Sequence, residues 1–169
     1  LRKIENPDAN ITSISMSPDG QMIASASITN DKNPIKIWSL DGRLLKTIRN
    51  ENGSINQIQS ISFSPDGKTI ASLSMGNVKL WGINGQEIEI FKPPAVTSGA
   101  EDSVIFSPNG EWLAVASGSN SVNLWNIERK ELINFEGHGN TVVSTSFSPD
   151  SQTLASADIN GKIKLWNIE

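Results

Sequence analysis

His138 is the only histidine in a chain of 169 residues, and any acid–base or metal chemistry would have to begin there. A two-His metal site is beyond one protomer, and so, on this reading, are a His-based triad and a His acid–base pair. A structural hydrogen bond outweighs catalysis for it, because no nucleophile or metal ligand accompanies it. The chain has no cysteine, which removes disulfides and thiolate ligands and suits a reducing compartment. Three acids, Asp19, Asp66 and Asp150, recur at one spacing and invite a metal or acid–base reading. Turn chemistry accounts for each of them, and Asn109 holds the same place in a further copy, so the carboxylate is dispensable. Gly20, Gly67 and Gly110 follow in the same turns with no helix behind them, which makes them turn residues and not a phosphate loop. Trp112 replaces Met22, Thr69 and Thr153 of the other copies. Exposed, it would be a recognition anchor; packing against a neighbouring sheet is the commoner fate of so large an aromatic.

These residues stand in a frame that repeats. "SMSPDGQMIASAS" opens at Ser15, "SFSPDGKTIASLS" at Ser62, "IFSPNGEWLAVAS" at Ile105 and "SFSPDSQTLASAD" at Ser146. Pro18, Pro65, Pro108 and Pro149 step by 47, 43 and 41 residues, and Trp38, Trp81, Trp125 and Trp166 by 43, 44 and 41. A period of this length points to a solenoid or a propeller. Composition is that of an ordinary globular chain, with 37% hydrophobic and 19% charged residues. No apolar run approaches the roughly 20 residues of a membrane span, and the opening "LRKIENPDAN" has no signal-peptide core and no initiator Met, as in a piece of a longer protein. A net charge of −4 disfavours nucleic acid as a partner.

One repeat suffices to see the elements. Ile58, Ile61 and Phe63 precede Pro65-Asp66-Gly67, where Pro presets φ for a turn and Gly closes it. Lys68 to Ser74 then reads as a strand buried on both faces. Met75-Gly76-Asn77 turns into a third strand, Val78 to Trp81, and Asn84-Gly85 turns into "QEIEIF", whose alternation predicts a more exposed fourth strand. Each repeat is therefore expected to be a four-stranded antiparallel sheet, with repeats at roughly 9–48, 54–91, 99–135 and 140–169 and residues 1–6 as a closing strand.

The "FSPDG…LAS…VKLW" pattern resembles the WD40-repeat family along essentially the whole chain, with a bacterial source as the accompanying expectation. The resemblance implies an all-β propeller with four blades in this chain. It also implies a polar tetrad in each blade, nearest to complete in the last repeat as His138, Ser156, Asn160 in place of an Asp, and Trp166. Ser25 and Ser72 hold the serine position in the first two repeats, and Val115 replaces it in the third. Partner binding is then expected on the face formed by the fourth-to-first-strand connections and the second turns, at Asn10, Thr12, Asn30, Asp31, Gln57, Gln59, Asp102, Thr141 and Val143. The bland alternative there is a solvated polar rim.

Four blades are few for a ring of this family. The small inner-strand residues Ser13, Ser15, Ser60, Ser62, Ser144 and Ser146 suit sheets packed at a gentler angle than four-fold closure requires. Two chains could therefore complete one another as a homodimer of eight blades through their open edges. The expected function is a non-catalytic interaction scaffold or sensing module of a larger cytoplasmic protein, with a protein or peptide partner, no cofactor, no metal, no nucleic acid and no membrane. Two alternatives stand beside it: a small-molecule or sugar-binding propeller, and a propeller-type hydrolase or lyase.

Overall fold

The computed structural model describes residues 3–4, 10–28, 35–49, 57–92, 103–116 and 118–168, and every regular element among them is a strand. The first sheet holds β1 (Asn10–Met16), β2 (Met22–Ile28), β3 (Ile35–Ser39) and β4 (Leu44–Ile48). The second holds β5 (Ser60–Phe63), β6 (Thr69–Ser74), β7 (Asn77–Gly82) and β8 (Glu87–Phe91). The third holds β9 (Ser103–Phe106), β10 (Trp112–Ala116), β11 (Ser121–Asn126) and β12 (Glu131–Glu136). The fourth has three strands: β13 (Val142–Phe147), β14 (Thr153–Asp158) and β15 (Ile163–Asn167). Neighbours within each sheet follow chain order and pair antiparallel. The chain is an array of all-β blades.

The Ser-Pro-Asp turns set the register of the inner hairpins. In the first, the Gly20 amide donates to the Ser17 carbonyl at 2.9 Å and the Ser17 amide to the Met22 carbonyl at 2.9 Å. Gly20 sits at φ 66, in the left-handed region where glycine is unstrained. Ser151 takes that position in the last copy and adopts φ 63 with a side chain. Its hydroxyl accepts the Asn109 amide of the preceding turn at 3.0 Å, which offsets that strain.

The core lies between the sheets. Ala24, Ala26, Ile35 and Ile37 of the first sheet pack on Ile61, Phe63, Ile70 and Trp81 of the second. The pattern then repeats: Ala71, Leu73, Val78 and Leu80 face Val104 and Leu113, and Ala114, Ala116, Val122 and Leu124 face Leu154. Burying both faces of the central strands explains why β6 carries no exposed residue. Trp112 is half-buried against the third of these cores, so packing is its role.

The inner strands β1, β5, β9 and β13 lie side by side and are stitched by serines. Ser13 and Ser15 hydroxyls accept the Ile61 and Phe63 amides at 3.1 and 3.0 Å, and Ser60 and Ser62 accept the Val104 and Phe106 amides at 3.1 and 3.3 Å. These serines are small, as expected, and they also serve as inter-blade acceptors. Of the segment expected to close the ring, only Lys3 and Ile4 are described, and they are not in a strand. Ile4 lines a cleft of about 220 Å³ with Ile14, Ile23, Ser25 and Trp38 of the first sheet, away from β15.

Candidate functional site

Two features stand at the edge where one blade leads into the next: a buried polar network in the fourth sheet and the rim above it. The network starts at Trp166 on β15, whose indole Nε1–H donates to Ser156 Oγ at 2.7 Å. Ser156 Oγ lies 2.7 Å from His138 Nε2, and His138 Nδ1 lies 2.9 Å from Asp158 Oδ2. The other Asp158 oxygen accepts the Asn160 and Lys162 amides at 3.1 and 3.0 Å. One proton order satisfies all of it: indole to serine, serine to Nε2, and Nδ1–H to the carboxylate.

Asp158, and not Asn160, is thus the acid of this network. Asn160 lies two residues further along, exposed in the turn, with its backbone amide bonded to Asp158. The register explains the difference: the side chains of Ser156 and Asp158 are two apart on β14 and so share a face, whereas the strand ends at Asp158. The sequence signal was the "SAD" that closes the strand where the other copies read "SAS", "SLS" and "VAS". A second expectation also changes. A single histidine does complete a Ser–His–Asp array, because its two ring nitrogens serve two different partners.

That array is sealed. Ser156, His138 and Asp158 are all buried, and the serine oxygen accepts the Trp166 indole N–H, an arrangement that suits a structural network. The first two blades repeat the indole–serine pair, Trp38 to Ser25 at 2.9 Å and Trp81 to Ser72 at 2.8 Å. In the third, where Val115 replaces the serine, Trp125 Nε1 and both polar atoms of the Asn123 side chain are buried without a partner among the described residues. No group of three metal-ligating side chains occurs among the described residues. No helix among them is long and apolar enough to cross a membrane.

The recurrent carboxylates are structural acceptors. The Ser17 hydroxyl, and after it the Gln21 amide, hold the Asp19 carboxyl below its ordinary value of 3.8. Ser64 and the Lys68 amide do the same to Asp66, and Ser148 and the Gln152 amide to Asp150. Asp158 is lowered chiefly by its bond to His138, which outweighs the opposing effect of burial. A carboxyl whose folded value lies below the unfolded one stabilises fully above the unfolded value, and loses that contribution as pH falls through the folded value. Urea midpoints should therefore fall as pH drops below about pH 4. Replacing Asp66 and Asp150 together by Asn should flatten that acid limb, since Asn109 Oδ1 already accepts Ser107 Oγ at 2.6 Å and the Glu111 amide at 3.1 Å in the third turn. An unchanged acid limb would show that the turn acids do not govern it.

The rim carries the residues expected to face a partner. Gln57 and Gln59 lie at the entry to β5, with Gln59 Oε1 accepting the Met75 amide at 3.3 Å. Thr141 accepts the Ile159 amide on its carbonyl at 3.0 Å, and Asn10 pairs with Ile28 across β1 and β2. Thr12 is exposed and donates its hydroxyl to the Ile58 carbonyl of the next blade, and Val143 sits half-buried in the bulge between Val142 and Ser144. Asn30, Asp31 and Asp102 lie outside the described residues. Reading for polarity missed the apolar members of this rim. Ile28, Met75 and Ile159 each stand three residues beyond Ser25, Ser72 and Ser156, at one equivalent position per blade, and all three are exposed. The third blade has Gly118 at that position.

The comparisons agree with this architecture. The family model described as WD domain, G-beta repeat matches at residues 1–39, 42–82, 92–126 and 129–167. The second and fourth matches take in the last strand of one sheet and three strands of the next, so there the sequence repeat is offset from the structural blade, while the third begins just after β8 and takes in β9 to β11. No curated protein matches the chain, and the family match carries no indication of a bacterial source. Proteins with such repeats generally mediate protein interactions and are typically non-catalytic. With four matched repeats laid over four antiparallel sheets, the chain belongs to the WD40 family.

Proposed function

We propose that this chain is a non-catalytic scaffold or sensing module of a larger cytoplasmic protein, and that it holds a protein or peptide partner on its rim. The observation that carries this is the set of exposed apolar side chains Ile28, Met75 and Ile159, at one equivalent position in three of the four blades, beside the polar Gln57, Gln59 and Thr141. Apolar groups bordered by amides and hydroxyls suit a peptide surface, and Met adapts to varied contours. A homodimer is the working unit in this reading.

The other readings have less support. A sugar-binding ring would call for matched aromatic and polar residues in every blade, and Trp112 has no counterpart in the other copies. The hydrolase reading has the Ser156, His138 and Asp158 array, but it is buried and capped by an indole.

The test is a pull-down from an extract of the source organism with a variant carrying Ile28→Glu, Met75→Glu and Ile159→Glu. A control carries Gln21→Glu, Lys68→Glu and Gln152→Glu on the opposite turns, which are equally exposed. Retention of bound protein should fall at least about tenfold for the rim variant alone, as expected when an apolar anchor is replaced by a desolvated charge. Equal retention by both variants would overturn the rim as the docking surface.

A further inference from the structure

The second strands of the first three sheets each open on a residue that faces the next sheet, two and four places ahead of residues in the core between them. On β2 it is Met22, which leads Ala24 and Ala26 and packs against the core between the first and second sheets. On β10 it is Trp112, which leads Ala114 and Ala116 and packs against the core between the third and fourth. On β6 it is Thr69, leading Ala71 and Leu73 into the core between the second and third. Thr69 is shorter than either counterpart, and a crevice of about 560 Å³ opens beside it between those two sheets.

This crevice is apolar inside and charged at its mouth. Leu80 at its base is 3% exposed, and Pro65, Ile88, Phe106 and Ile127 add apolar walls. Ile88 is 52% exposed, so the opening reaches solvent along β8. At one end the turns of the two sheets meet, since a carbon added to Gly110 would lie 3.7 Å from Pro65.

At the mouth, Lys130 Nζ donates to Glu89 Oε2 and so joins β8 to the turn before β12. Lys130 adopts φ 60, a left-handed conformation that is costly with a side chain, and its amide is fixed by the Asn126 carbonyl at 3.0 Å. Asp66 lines the same crevice, so two carboxylates stand against one ammonium there.

We propose that this crevice is a second interaction site, taking one large apolar side chain of a partner peptide, of the size of Met22 or Trp112, with a cationic residue beside it. The neighbouring interfaces say what fits. Where the chain supplies such a side chain itself, it packs into the interface; where it supplies Thr69, the space remains for a side chain from another molecule. The volume lies in the range of ligand pockets, and an apolar anchor in such a pocket concentrates binding energy at a peptide interface. The excess of Asp66 and Glu89 over Lys130 favours a cation next to the anchor and rejects an acid. Thr69 opens β6 and Met75 follows its far end, so the site lies away from the rim and does not depend on partner capture there.

The probe is the blocked tetrapeptide acetyl-Gly-Trp-Arg-Gly-amide, titrated into isotope-labelled protein and followed by amide NMR. Signals of Thr69, Glu89, Gly110 and Lys130 should shift together, with a Kd on the order of 1 mM. Thr69→Trp places in the crevice the side chain that Trp112 provides in the next interface, and should weaken binding at least about tenfold. Thr69→Met, after Met22, repeats the test with a smaller side chain should the first variant fold poorly. Lys130→Gln removes the one ammonium and should tighten binding about threefold. Shifts that map to the rim, unchanged binding by the folded Thr69 variants, or equal binding of acetyl-Gly-Trp-Glu-Gly-amide would each overturn the proposal. Free indole binding as tightly as the tetrapeptide would overturn it too, since the crevice would then serve a small apolar molecule and not a peptide.

Discussion

Replacing His138 by Ala is expected to cost the folded state about 3 kcal/mol, a large share of the stability of a chain this size. The imidazole is buried between Ser156 and Asp158, and its loss leaves the serine hydroxyl without its acceptor and Asp158 Oδ2 without its donor. A cavity beside Trp166, whose ring centroid lies 6.0 Å from that of the imidazole, adds to the penalty. Urea denaturation would give the size of the effect, and amide hydrogen exchange its place. Exchange should quicken at Ser156 to Lys162, where Asp158 holds the turn amides, and stay nearly unchanged in the first two sheets, which lie away from His138. A loss under about 0.5 kcal/mol would mean that the network is an ornament of the last blade and not its fastening.

Trp81→Ala should cost more, about 4 kcal/mol, by the same denaturation measurement. Trp81 is among the largest fully buried side chains, closing the core between the first and second sheets, with Lys79 Nζ 5.3 Å from its ring centroid. Truncation removes the packing and leaves Ser72 without its indole donor. Trp81→Phe separates the two contributions: it keeps most of the packing and should lose only about 1 kcal/mol with the hydrogen bond. Similar losses for both variants would place the weight on the indole bond instead of the core.

Much of this was legible in the sequence for a physical reason. Pro and Gly restrict or free φ locally, and a strand alternates its side chains without reference to distant residues, so turns at Pro65-Asp66-Gly67 and strands such as Thr69–Ser74 follow from neighbouring residues alone. Repetition then multiplied the signal, since four copies obeying one rule make a chance match implausible. The fourth strands are more exposed, as expected, but alternation did not settle their facing: in "EIEIF" Ile88 and Ile90 are exposed while Glu89 is half-buried.

Local rules gave way where a residue's role depends on a neighbour far along the chain. Asn160 stands closest to the expected turn position, yet only the ladder of β14 against β13 and β15 decides that Asp158 is the acid facing His138. That Ser13 and Ser60 accept amides from the next blade depends on the spacing between inner strands, which composition does not encode. The rim residues Ile28, Met75 and Ile159 read as ordinary strand and turn residues in sequence, and only the packed array shows that no sheet covers them. The sequence by itself determined the repeat, the strands and the turns, because these are set by φ preferences and by alternation over a few residues. Tertiary structure decided which polar atoms meet, which apolar faces remain open and hence where a partner can bind, because burial belongs to the assembled sheets and not to any one of them.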